Sequence, residues 1–165
     1  MALIVEDGSI VAGAESYITV ADATAYFDAR GNAAWAALAS DTVREQLLRK
    51  ATDYMVARYG LRWKGERVSE DQALDWPRSC AYANGFLIDS DSVPLKVRHA
   101  CAELAVRASE GDLQPDAGPQ VKSETVGPIS VTYADGARQA DTFKAVDSML
   151  SAYLQGMGGI PVSRA

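Results

Sequence analysis

Apolar positions recur with a helical period in four stretches of the chain and alternate with polar ones in a fifth. Thr19 precedes "VADATAYFDARG", in which Val20, Ala23, Tyr26 and Phe27 share a face, Asp22 lies in the first turn and Gly31 closes the run. A cap residue, an early acid and a terminal glycine predict a helix of about three turns. "NAAWAALA" follows as a helical turn pinned by Trp35. Ser40 then opens the strongest pattern, with Val43, Leu47, Ala51, Tyr54, Met55 and Arg58 at spacings of three and four, and Gly60 at its end. In "DSVPLKVRHACAELAVRASEG", Ser92 is placed to cap and Pro94 suits a first turn. Val97, Ala100, Cys101, Leu104 and Ala108 form its stripe up to Gly111.

After the Pro- and Gly-rich linker "DLQPDAGPQ" the period changes to two. Ile129, Val131 and Tyr133 alternate with Ser130 and Thr132, and Gly127-Pro128 interrupts the run. This predicts a β-hairpin at about 120–134. A final helix, "DTFKAVDSMLSAYL", is capped by Asp141 and places Phe143, Val146, Met149, Leu150 and Tyr153 on one side. The fold class is therefore mainly α: a small bundle of about four helices with a β-hairpin inserted before the C-terminal helix. Residues 1–154 form one domain, and 155–165 a flexible tail. A lone hairpin is marginal in water and leaves unpaired backbone groups on both edges, so it needs a partner in its own or a neighbouring chain.

Composition adds limits. At 165 residues, 48% hydrophobic and 23% charged, the chain falls in the ordinary globular range. The start "MALIVEDG" lacks a basic leader region, and no apolar run reaches membrane-spanning length, so the protein is expected to stay in the cytoplasm where it is made. A formal charge of -6 argues against a protein whose main work is gripping phosphates. The charge is uneven: residues 44–67, "REQLLRKATDYMVARYGLRWKGER", hold seven bases and three acids. A basic stripe in an acidic protein is a candidate contact surface.

Candidate chemistry is sparse. The single His99 and Cys101 stand two apart on a helix and point to different faces, which disfavours a shared metal. Cys80 and Cys101 read as reduced and structural. Glu70-Asp71 and Asp89/Asp91 have the setting of turn and cap residues. "GMGG" has neither the following GK[ST] nor the preceding strand of a phosphate loop. No catalytic, cofactor-binding or metal-ligating set is assigned, and no enzyme activity is expected.

The long connection from Leu61 to Asp91 is different. A short helical turn at "SEDQAL" is possible, with Ser69 and Gln72 as a capping box. Connections of this length tend to be functional or interfacial. Trp63, Lys64, Arg67, Trp76 and Arg78 form the aromatic-plus-cation set that single-strand binders use. The same residues also fit a packing role, with each Trp anchored over the core edge and Arg78 fixing the loop path that Pro77 restricts.

Three stretches carry a family resemblance. They are "ALIVEDGSIVAGAESYITVADATAYFDARG" (Gly13, Ser16, Tyr17, Ala21, Tyr26, Arg30, Gly31), "RWKGERVSEDQALDWPR" (Trp63, Gly65, Arg67, Leu74, Trp76, Pro77, Arg78) and "VKSETVGPISVTY" (Ser123, Glu124, Gly127, Ser130, Tyr133). In order, over nearly the whole chain, they resemble the head-tail connector, or adaptor, proteins of tailed bacteriophages. Related sequences also carry the label "putative DnaT-like single-strand DNA-binding protein". The resemblance implies a ring of about twelve copies in the virion neck, below the portal protein. That ring would extend the DNA channel and dock a tail or stopper protein. Double-stranded DNA would pass through it without specific binding, helped by the acidic charge.

It implies no catalytic residues and no cofactor. Candidate contacts with neighbouring subunits or the portal are Arg58, Arg62, Trp63, Lys64, Arg67, Trp76, Arg78, Ile129, Val131 and Tyr133, with Met157, Ile160, Val162 and Arg164 in the tail. The alternative function is a single-stranded DNA-binding replication accessory.

Overall fold

The computed structural model describes residues 2–115, 123–126, 129–132 and 142–156, with the two short central segments described as backbone alone. Its centre is the packing of α3 (Asp41–Tyr59) against α4 (Leu95–Glu110), with α5 (Lys144–Leu150) laid on α4. α3 turns Leu47, Leu48, Ala51 and Met55 inward, and α4 answers with Val97, Cys101, Leu104 and Ala105. Small residues along α4 let the two helices approach closely, and Leu48 and Leu104 fill the seam. α1 (Val20–Asp28) and the single turn α2 (Ala33–Ala36) cover one flank, where Phe27 stacks near Trp35 with ring centroids 5.1 Å apart.

The caps explain where these helices begin. Thr19 Oγ1 accepts from the Asp22 amide at 3.0 Å, Asn32 Oδ1 from Trp35 at 3.1 Å and Ser40 Oγ from Val43 at 3.3 Å. Ser92 does not cap α4. Pro94 takes the cap position, its fixed φ of -54° starts the helix without an N–H to satisfy, and Ser92 Oγ instead donates to the Asp89 carbonyl. The last helix begins at Lys144, with Phe143 at its cap, and tightens into a 3-10 turn over Ser151–Tyr153; Asp141 lies outside the described residues. The hairpin is β5 (Ser123–Val126) paired antiparallel with β6 (Ile129–Thr132), Glu124 opposite Val131 and Val126 opposite Ile129.

The 61–91 connection is more regular than its sequence suggests. A 3-10 turn at Gly60–Arg62 leads to β1 (Glu66–Arg67), which pairs with β2 (Arg78–Ser79). A tight hairpin follows, β3 (Tyr82–Ala83) with β4 (Phe86–Leu87). "SEDQAL" forms a turn and no helix. Gln72 Oε1 accepts from the Val68 and Ser69 amides, as a capping box requires, but its Nε2 donates to the Leu74 and Pro77 carbonyls and holds the following chain extended.

The N-terminal segment is ordered by a buried acid. Glu6 accepts from the amides of Gly8, Ile10 and Val11 at 2.8 to 3.0 Å, which closes a loop against the 89–92 turn. Gly8, at φ 113°, has no room for a Cβ there, because one would overlap the Asp91 carbonyl.

Candidate interaction surface

The 61–91 segment is built from the inside out. Trp76 is fully buried and Trp63 nearly so, packed edge to face with centroids 5.7 Å apart; the Trp76–Pro77 bond is cis. Trp63 Nε1 donates to Asp75 Oδ2 at 3.2 Å, and the Asp75 amide donates to the buried Tyr17 hydroxyl at 3.1 Å. Arg78, only 8% exposed, spends its guanidinium on three backbone carbonyls: Lys64 at 2.9 Å, Asp75 at 3.1 Å and Gly65 at 2.7 Å. Burial pulls the Arg78 guanidinium below its ordinary pKa and pushes the Asp75 carboxyl above its own. Gly65 adopts φ 72° and lies so close to Ser79 and Ala81 that a side chain would clash with their backbone.

The C-terminal segment clamps the same loop. Trp63 bridges to Leu154, the Lys64 amide donates to Tyr153, the Gln155 amide to Arg62, and Gln155 Nε2 to Trp63. Lys64 Nζ is held on the Ala152 carbonyl at 2.8 Å. Gln155, read from sequence as the start of a flexible tail, is thus tied to the loop by two hydrogen bonds.

On this scaffold stand two exposed features. The first is a tip formed by the end of α3 and the 3-10 turn, where Leu61 is 100% exposed. Beside it lies a groove of about 740 Å³ lined by Val56, Arg58, Arg62, Arg67 and Gln155. The basic stripe divides at this point. Arg44 pairs with Asp41 at 2.7 Å and Arg49 with Glu15 at 2.9 Å, whereas Arg58, Arg62 and Arg67 make no ion pair among the described residues. Arg67 instead donates to the Gln72 carbonyl, and Arg62 lies over the Tyr59 ring.

The second feature is the β3–β4 finger, with Tyr82 53%, Phe86 77% and Leu87 59% exposed. Asn84 and Gly85, at φ 52° and 86°, make its two-residue turn. Tyr82 pairs with Leu87 and Ala83 with Phe86, so the finger presents apolar side chains on both faces.

Of the residues singled out from sequence, Arg58, Arg62 and Arg67 gather at the groove, and Lys64 sits behind it on the 151–153 turn. Trp63, Trp76 and Arg78 belong to the interior: they shape the surface from beneath and present no stacking face to solvent. Ile129 and Val131 occupy β6, while Tyr133, Met157, Ile160, Val162 and Arg164 lie outside the described residues. His99 stacks on Tyr26 with centroids 4.1 Å apart, and its pKa is lowered by burial and by Arg30 and Arg98. Cys101 is sealed in the core beside Thr52 and Ser16, whereas Cys80 is exposed. No cluster of three potential metal ligands occurs among the described residues. The finger went unread in the sequence although Asn-Gly is the strongest short hairpin signal, and nothing in the sequence marked Leu61.

Comparison with known families gives a match. The model of the family described as "Putative DnaT-like ssDNA binding protein" covers residues 1–165, and the chain belongs to that family. No curated protein and no solved structure matches the chain.

Proposed function

We propose that this member of the family is a non-enzymatic assembly subunit of the head-tail connector kind, forming a ring beneath a portal protein in the virion neck and docking a tail or stopper protein. The observation that carries this reading is the exposure pattern of the 61–91 segment. The residues that would stack on bases are inside, while Leu61 and the finger's Tyr82, Phe86 and Leu87 are outside. Exposed apolar groups ringed by polar ones mark protein contact. An acidic chain of net charge -6 also suits a wall past which DNA must move without sticking. Quantitative mass spectrometry of purified phage particles tests this: a one-to-one ratio to the portal protein supports it, and absence from the particles refutes it.

The family's own description favours a second reading, single-stranded DNA binding, and the family match speaks for it more directly than for the connector. With Trp63, Trp76 and Arg78 buried, that activity would rest on Arg58, Arg62 and Arg67, with Tyr82 and Phe86 as the reachable aromatics. Binding of a fluorescent oligothymidylate, titrated with salt, decides it. A steep loss of affinity with salt, together with loss on Phe86→Ala, supports this second function. No binding at low salt removes it.

A further inference from the structure

We infer that the β3–β4 finger of one copy seats in the arginine-lined groove of a second copy. This rests on the assembly reading and specifies the contact by which it would occur. A hairpin with two-residue strands has no core of its own and is marginal in water. This one exposes apolar side chains on both faces. Aromatic and leucine side chains at this exposure leave on the order of 350 Å² of apolar surface uncovered, within the range of the largest patch on a monomer, which is often functional. Each such contact is under half of the roughly 800 Å² per partner of a stable complex. A chain carrying both finger and groove supplies two contact surfaces in every assembled copy.

Charge selects the occupant. The base of the finger is acidic: Asp89 and Asp91 are exposed beyond β4, and exposed Asp7 adjoins them through the packing of Gly8 on Asp91. These carboxylates oppose a phosphate backbone and complement Arg58, Arg62 and Arg67. The groove also offers Val56 and Leu61 to an aromatic ring, with guanidinium groups to lie over its face. Finger and groove are therefore complementary in polarity and sign, and both belong to the same chain.

Two full-length variants test the inference by sedimentation velocity over a range of concentrations. One carries Arg58→Glu and Arg62→Glu, the other Phe86→Ser and Leu87→Ser; thermal unfolding of each serves as the folding control. The native chain is expected to sediment faster as concentration rises, less so at high salt. Each variant alone should associate at least tenfold more weakly. Their equimolar mixture should form a two-chain species and stop there, because only the first variant's finger and the second's groove remain intact. Native-like association of both variants would overturn this contact and leave the assembly reading standing. A native chain that stays monomeric throughout would overturn the contact, and its absence from purified particles would then remove the assembly reading too. Loss of oligonucleotide binding in the finger variant, with self-association unchanged, would assign the finger to nucleic acid instead.

Discussion

Replacing Trp76 by Ala separates a structural anchor from a ligand-facing aromatic. The side chain is 0% exposed and meets Trp63 and Tyr153 edge to face, at centroid distances of 5.7 and 6.1 Å. Truncating a buried Trp costs about 3 to 5 kcal/mol, and two edge-to-face contacts place this one at the upper end of that range. Its Nε1 is buried without a hydrogen-bond partner, so removing that orphan donor returns about 1 kcal/mol. The net loss is about 4 kcal/mol, a large share of a typical domain's stability. With a urea slope of about 2 kcal/mol per molar, the midpoint should fall by about 2 M. Far-UV circular dichroism during urea titration measures this without relying on the fluorophore being removed. Trp76→Phe keeps an aromatic body and drops the orphan N–H, so its loss should be clearly smaller. A Trp76→Ala midpoint within about 0.5 M of the native value, combined with lost partner binding, would refute the anchor role.

Three other substitutions probe the same scaffold. Glu6→Ala leaves three loop amides without their carboxylate and should cost about 3 kcal/mol in urea unfolding, with Glu6→Gln intermediate because it retains an acceptor. Arg78→Lys cannot span three carbonyls and should cost about 2 kcal/mol, read as a lower thermal midpoint. Asp75→Asn tests the sign of a buried charge. Burial raises the folded carboxyl's pKa, so the native state holds that proton more tightly than the unfolded chain does. The resulting destabilisation is fully present above the raised value and is relieved as pH falls toward the ordinary 3.8. The Asn variant keeps an oxygen for Trp63 Nε1, should be at least as stable as the native chain at neutral pH, and should lack that acid-side relief in denaturant titrations at stepped pH.

α1 and α3 were legible because each combined periodicity with a cap that acts locally: Thr19 and Ser40 both accept from the amide three residues ahead. Ser92 failed as a cap because Pro94 could start the helix by itself, a choice between two valid local signals that only the packed chain resolves. The finger was hidden by brevity, since two residues on each side of Asn84-Gly85 are too few to show alternation. Glu6 gave no signal, because its three bonds go to amides of an irregular loop that has no periodicity, and the Asp91 carbonyl that packs on that loop is more than eighty positions along the chain. The aromatic-plus-cation set shows the deeper limit. Trp63, Trp76 and Arg78 have the composition of a nucleic-acid groove and of a buried anchor alike. What decides between them is the docking of residues 153–155 on Trp63 and Lys64, about ninety positions along the chain.

That docking changes how interaction data on this protein should be interpreted. The position of the groove depends on the C-terminal clamp at Arg62, Trp63 and Lys64, and on Arg78 holding the carbonyls of Lys64 and Gly65. A substitution at Trp63, Trp76 or Arg78 will therefore weaken any interaction at the groove, whether the partner is protein or DNA, by releasing the frame beneath it. Leu61 and Phe86 make no comparable contribution to the core, since most of each side chain is in solvent. Changes there alter the surface with the frame in place. A deficit at Phe86 or Leu61 with an unchanged urea midpoint consequently reports on the partner, whereas the same deficit at Trp76 reports on the fold.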